Sequence, residues 1–95
     1  MGYLNQVSGL KLHQYQSCPN CAVTRQTINQ TGLYIEERDV QLHPEYLQEL
    51  ISGGGKFQVP ALRIECSHSE TQWLYEPKDI INFLHVYVSY LTIAA

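Results

Sequence analysis

The chain has 95 residues, one domain's length, with 44% hydrophobic and 16% charged residues and a formal net charge of −3. That length can bury a core without disulfide staples, and the composition excludes a disordered chain. The mild negative charge gives no electrostatic ground for a nucleic acid or an anionic membrane as partner.

Residues 1–95 read as one domain, with its core over about residues 10–90. The opening, Met1 to Gly9, is polar and broken by glycines. It has no basic segment followed by an apolar run, so no secretory leader is read and a cytoplasmic location is expected. Leu10-Lys11-Leu12-His13-Gln14-Tyr15 alternates at first and predicts a strand. Pro19 suits the first turn of a helix, where its missing N–H would find no acceptor, and Gly32 suits its end. A helix over Pro19–Thr31 follows from these two end signals, because its apolar periodicity is weak.

Leu33 to Val40 reads as a second strand. His43-Pro44 opens a second helix, with Leu47, Leu50 and Ile51 on one face. Gly53-Gly54-Gly55 ends it and reads as a flexible loop, since it lacks the Lys-Ser/Thr of a phosphate loop. Val59 to Glu65 is a third strand approached through Pro60, Cys66 to Glu70 a turn, and Thr71 to Tyr75 a fourth strand. Pro77 opens the last helix, whose apolar stripe is Ile80, Ile81, Leu84, Val88 and Leu91. The apolar tendency at the C-terminus is too short to span a bilayer. The order β-α-β-α-β-β-α predicts an α/β domain of two or three layers, with the first two strands parallel and the last two antiparallel.

Three cysteines, Cys18, Cys21 and Cys66, are too few and odd in number for a secreted disulfide scaffold. Two of them form Cys18-Pro19-Asn20-Cys21 where a strand gives way to a helix. Unsatisfied N–H groups and the helix dipole favour negative charge there. A thiolate is the reactive form of cysteine, and such positions lower a thiol's pKa from its free value of about 8.5. Cys18 is therefore expected to be ionised and accessible. Cys21 lies one turn on, close enough to bridge, and is expected to be more buried and to resolve a mixed disulfide at Cys18. Pro19 stiffens the turn, and Asn20 brings no cation to it.

A zinc site is the main alternative for Cys-x-x-Cys. Cys66 and His68 are formally available as further ligands, but Cys66-Ser67-His68 does not have the spacing of a second zinc knuckle, so no metal is required. His13, His43, His68 and His85 are scattered and are expected to be surface or strand residues. Cys66 reads as an incidental thiol, with glutathionylation or pairing of two copies as alternatives. Trp73 and Tyr75 are expected in the core. Tyr15 suits either the interior or a substrate groove.

Three segments together resemble the glutaredoxins and the N-terminal domain of glutathione transferases. They are Tyr15-Gln16-Ser17-Cys18-Pro19-Asn20-Cys21, Gln58-Val59-Pro60, and Trp73-Leu74-Tyr75-Glu76-Pro77-Lys78-Asp79-Ile80. The resemblance spans nearly the whole chain. It implies a thioredoxin/glutaredoxin-like fold, with a four-stranded mixed sheet flanked by three helices. It also implies a glutathione-dependent thiol–disulfide oxidoreductase that reduces protein or glutathione mixed disulfides.

Carried over by position, the resemblance makes Cys18 the nucleophile and Cys21 the resolving thiol, and places a cis Pro60 against Cys18. Val59 would offer its backbone to the cysteinyl part of glutathione. Glu76 would accept the γ-glutamyl ammonium, and a backbone N–H near Pro77 or Lys78 would hold the adjacent carboxylate. Tyr15 stands where many members carry lysine, and Lys56 is the candidate cation for the glycyl carboxylate. Glutathione is then a co-substrate, the other partners are disulfide-containing or glutathionylated proteins, and a monomer is expected. The alternative within the family is a non-catalytic protein that binds glutathione or an iron–sulfur cluster.

Overall fold

The computed structural model describes residues 6–66 and 70–94 of the chain, and side chains for residues 9–66 and 70–90. Seven elements follow in order: β1 (Gln6–Gln14), α1 (Pro19–Thr31), β2 (Tyr34–Asp39), α2 (Pro44–Gly54), β3 (Ala61–Ile64), β4 (Gln72–Leu74) and α3 (Pro77–Ala94). The four strands form one sheet in the order β2-β1-β3-β4. β1 and β2 are parallel, whereas β3 is antiparallel to both β1 and β4. The predicted mixed sheet with three helices is thus present. His68 and most of the predicted turn after β3 lie outside the described residues, as does the Leu91 side chain.

β1 begins earlier than its alternation predicts. It is a central strand, and Gln6 still pairs with Tyr34 across an irregularity before Lys11. Ladders on both edges override the weak strand preference of Gly9. β3 is shorter than predicted: Val59, Pro60 and Glu65 stand outside the strand.

Alternation along β1 sorts its side chains between two layers. Leu10 and Leu12 pack with Ile28 of α1, Leu33, Ile35, Leu62, and Ile80 and Leu84 of α3. On the opposite face Val40, Leu50 of α2 and Ala61 form a second cluster, joined by Tyr15, Tyr46, Leu47, Val59, Trp73 and Tyr75. The sheet therefore carries α1 and α3 on one face and α2 on the other. Burying a leucine or isoleucine such as Leu12, Leu62 or Ile80 contributes about 1.5–3 kcal/mol each.

The weak apolar pattern of α1 has a simple cause. Its buried stripe is Cys21, Thr24 and Ile28, and the Thr24 hydroxyl is satisfied by donating to the Asn20 carbonyl at 2.9 Å. Gly32 ends the helix in the left-handed region, at φ 81°. The glycine run after α2 is a correction to the flexible loop read from sequence. Gly53 and Gly54 belong to the last turn of α2, and Gly55, at φ 88°, is its left-handed cap, donating its N–H to the Ile51 carbonyl. Trp73 and Tyr75 press on this turn so closely that a Cβ on Gly54 would collide with the Tyr75 hydroxyl. That hydroxyl donates to the Gly54 carbonyl at 2.7 Å.

Candidate functional site

β1 delivers the chain through Tyr15, Gln16 and Ser17 to Cys18, which is the N-cap of α1 with extended φ −77° and ψ 120°. The Cys18 sulfur occupies the place a serine or aspartate oxygen takes at other helix starts. It accepts the Cys21 backbone N–H at 3.2 Å. The Cys18 N–H donates to the Tyr15 carbonyl at 3.3 Å, and its carbonyl accepts from Ala22 at 3.0 Å. The sulfur thus lies among α1's first, otherwise unpartnered N–H groups, where negative charge is favoured. Both thiols are free.

The expectation that Cys18 is openly accessible is corrected. The residue is only 6% exposed. Its sulfur turns back onto the helix end to receive the Cys21 N–H instead of projecting outward. The predicted ranking of the pair still holds, because Cys21 is fully enclosed at 0%. Burial, and then the hydrogen bond with Cys18, push the Cys21 thiol up to about 12. Of the two, only Cys18 keeps any exposed surface.

The other predicted site residues fall into two groups. Tyr15 is half-buried and packs against the cluster beneath α2. Val59 packs in the same cluster, and the Val59–Pro60 peptide is cis, as the resemblance implied. At the start of α3, the exposed Glu76 carboxylate accepts from the Gln58 side chain at 3.3 Å, so the segment before Pro60 touches the turn before Pro77. The Glu76 carbonyl accepts the Ile80 N–H at 3.0 Å and begins the helix. Lys78 is exposed in that first turn. Lys56 is held over the Tyr75 ring, 4.3 Å from its centroid. This cation–π contact holds its ammonium at the residue that follows β4.

Sequence reasoning missed two polar clusters, one around half-buried Arg25 and one around buried His13. Arg25, on α1, donates to the Gln14 side chain, and to the Tyr15 and Gln16 carbonyls at 3.3 Å each. His13 is fully buried rather than superficial, and its Nε2 lies 2.6 Å from the Glu49 carboxylate on α2. Arg38 reaches the same carboxylate at 2.7 and 2.9 Å and Glu36 at 2.7 Å. A signal for both existed. A central strand in an α/β sheet is buried on both faces, so polar His13 and Gln14 there require partners. Among the described residues no three His, Cys, Asp or Glu side chains gather as metal ligands, and no helix is long and apolar enough to cross a membrane.

The chain's likenesses agree with this geometry. The glutaredoxin family model matches residues 10–68. No curated protein matches the sequence. Among solved structures, the thioredoxin-like protein BC3987 superposes with a TM-score of 0.62 at 15% identity, over 77% of this chain and 96% of that one. A glutaredoxin from Archaeoglobus fulgidus gives 0.61 at 16% identity, over 86% and 91%. The maleylacetoacetate isomerase of Anaeromyxobacter dehalogenans 2CP-1, solved with glutathione in its active site, gives 0.62 at 24% identity. There the likeness covers 84% of this chain but 38% of the isomerase.

Proposed function

This chain belongs to the glutaredoxin family, and from that premise we propose that it is a glutathione-dependent thiol–disulfide oxidoreductase with Cys18 as nucleophile. The observation that carries the reading is the pairing of a free Cys18 sulfur, set as the N-cap of α1, with a free and fully buried Cys21 one turn later. A thiolate at Cys18 is stabilised by the Cys21 N–H and by the helix end.

The cycle on a glutathionylated protein has two exchanges. The Cys18 thiolate attacks the glutathione sulfur, the protein thiolate departs and takes a proton from water, and Cys18 is left joined to glutathione. A second glutathione thiolate then attacks the glutathione sulfur of that mixed disulfide. Glutathione disulfide leaves, and the Cys18 thiolate is restored. On a protein disulfide, Cys21 instead attacks the Cys18 sulfur of the mixed disulfide. This releases the reduced protein and closes a Cys18–Cys21 disulfide, which two glutathiones reopen. In each case the substrate gains two electrons; the glutathionylated protein consumes one free glutathione, since the other half of the glutathione disulfide comes from the substrate, and the protein disulfide consumes two.

Glutathione would lie across the Gln58–Glu76 contact, with Val59 offering backbone hydrogen bonds. Its α-ammonium would meet Glu76, and its α-carboxylate the first N–H groups of α3 beside Pro77 and Lys78. The glutathione seen in the isomerase supports a ligand of this class. Lys56, parked on Tyr75, is the nearby cation for the glycyl carboxylate. A cytoplasmic setting, where thiols are kept reduced, suits this cycle.

The test is reduction of a glutathionylated peptide in an assay coupled to glutathione reductase. The wild type turns over, Cys18→Ser is inactive, and Cys21→Ser retains activity on this substrate while losing it on protein disulfides. An inert wild type, or an active Cys18→Ser, overturns the proposal.

A further inference from the structure

Val86 and Tyr90 lie one turn apart on α3 and are 69% and 65% exposed. The other exposed large apolar side chains among the described residues stand singly on separate segments. Half-buried Phe83 and Tyr87 lie on the same flank of α3, their rings stacked with centroids 6.0 Å apart. Both also pack against the core cluster beneath α3, so the stripe continues the core outward. The other flank of the helix faces α1. There His85, Val88 and Ser89 line a cleft shared with Thr27 and Thr31.

We infer that this stripe is covered by a second copy of the chain, with the two α3 helices antiparallel about a two-fold axis between residues 86 and 87. The spacing of Phe83, Val86, Tyr87 and Tyr90 reads the same in both directions. A two-fold axis at its centre therefore sets Phe83 against the partner's Tyr90, and Val86 against the partner's Tyr87. Such an interface is isologous, one patch meeting itself, and each aromatic ring finds an apolar or aromatic counterpart. The resemblance implied a monomer; the stripe argues for a pair.

Charge selects this face for self-pairing. The chain carries a net charge of −3, so two copies repel in general. Between Ile80 and Ala95 the sequence has no Asp, Glu, Lys or Arg. The nearest charge on this flank, Asp79, lies a turn before Phe83. Pairing along the stripe thus brings no like charges face to face, and antiparallel helices set opposite ends of their dipoles side by side. The free edge of the sheet is built the other way. β2 is an edge strand, and a copy paired antiparallel about its middle would set Glu36 against the partner's Glu37.

Sedimentation velocity of the full chain tests this, with a reductant present so that Cys66 cannot link copies. The contact is one helix wide, so the dimer should be reversible, with Kd on the order of 100 µM. The wild type should pass from one chain to two between about 10 µM and about 1 mM. Val86→Asp sets two carboxylates beside the axis and should weaken the dimer at least about tenfold. Val86→Lys should do the same alone, yet an equal mixture of the two variants should pair again. Glu37→Lys, on the β2 edge, should not weaken the dimer. Should Val86→Asp fail to fold, Tyr90→Lys takes its place with the same expectation. A wild type that stays a single chain at about 1 mM overturns the proposal. So does a stripe variant that pairs like the wild type, a mixture that stays unpaired, or an equal weakening by Glu37→Lys. A single chain that sediments with phosphatidylcholine vesicles assigns the stripe to lipid and overturns the second copy.

Discussion

His13 and Gln14 are neighbours on β1, both buried, and they face opposite layers of the molecule. Gln14 meets Arg25 on α1, whose other contacts are the Tyr15 and Gln16 carbonyls just before Cys18. His13 meets Glu49 on α2, in a network that continues through Arg38 to Glu36. Each face therefore buries a polar cluster anchored on the same strand. They differ in what the backbone around them does. The Arg25 cluster holds the irregular turn that leads into Cys18. The Glu49 cluster joins β1, β2 and α2. Hydrogen bonding fixes both clusters in place, but only in the first does it reach the carbonyls of the turn before Cys18.

The comparison breaks or holds first at Cys18. Cys18→Ser should remove all glutathione-coupled turnover while leaving the urea unfolding midpoint equal or raised. A serine oxygen is a good N-cap and can accept the same Cys21 N–H. A large loss of stability in that variant would mean that the sulfur is structural.

Glu49→Ala is the counterpart on the other face. It leaves His13 and Arg38 without their shared carboxylate, and losing a partly buried charged hydrogen bond of this kind costs about 2–4 kcal/mol. Urea unfolding should show that loss, with the disulfide closure rate per folded molecule unchanged. A slowed closure would show that the two faces communicate through β1.

Gly54→Ala tests the edge where α2 meets β4. In an open helix the change would be worth nearly 1 kcal/mol in favour of alanine. Here the new methyl would collide with the Tyr75 hydroxyl and crowd Trp73. Overpacking costs of about 1–3 kcal/mol outweigh the propensity gain, so the melting temperature should fall. Because Tyr75 carries Lys56, glutathione KM should move in the same variant.

Much of this was readable from the residues. The order of elements followed from proline and glycine punctuation, and the cap at Cys18 from Pro19 following a strand. What stayed hidden depended on register between distant segments. Arg25 meets Gln14 across 11 positions and His13 meets Glu49 across 36, and neither separation leaves a periodic trace. α1 concealed its buried face because a threonine lies in the stripe. The glycine run looked like slack chain, because sequence does not show two aromatic rings of β4 and the residue after it resting on it. The low exposure of Cys18 was missed for a related reason. A cap that bonds to its own helix draws its side chain inward, and only geometry reveals how far.

The smallest effect separates the two clusters by pH. His13 is held below its ordinary value, chiefly by burial, with Arg38 and Arg63 adding to the effect and Glu49 opposing it. Its Nδ1 is buried without a partner, so a proton there would have no acceptor. As pH falls below about 6.5 the unfolded chain binds a proton at residue 13 that the folded chain refuses. Stability contributed by neutral His13 is therefore lost as pH drops, at no more than about 1.4 kcal/mol per unit. The carboxylates follow in a lower window. Burial alone would raise Glu49, but hydrogen bonds from Arg38 and His13 outweigh it. Glu36, bonded to Arg38, is lowered as well, so both lose their contribution only below the ordinary carboxylate range. His13→Gln should consequently be less stable than wild type at pH 7, with the gap narrowing by pH 5. A gap that widens as pH falls would mean that His13 is protonated in the fold, and that Glu49 faces an imidazolium rather than a neutral ring; parallel curves would mean that folding leaves its proton affinity unchanged.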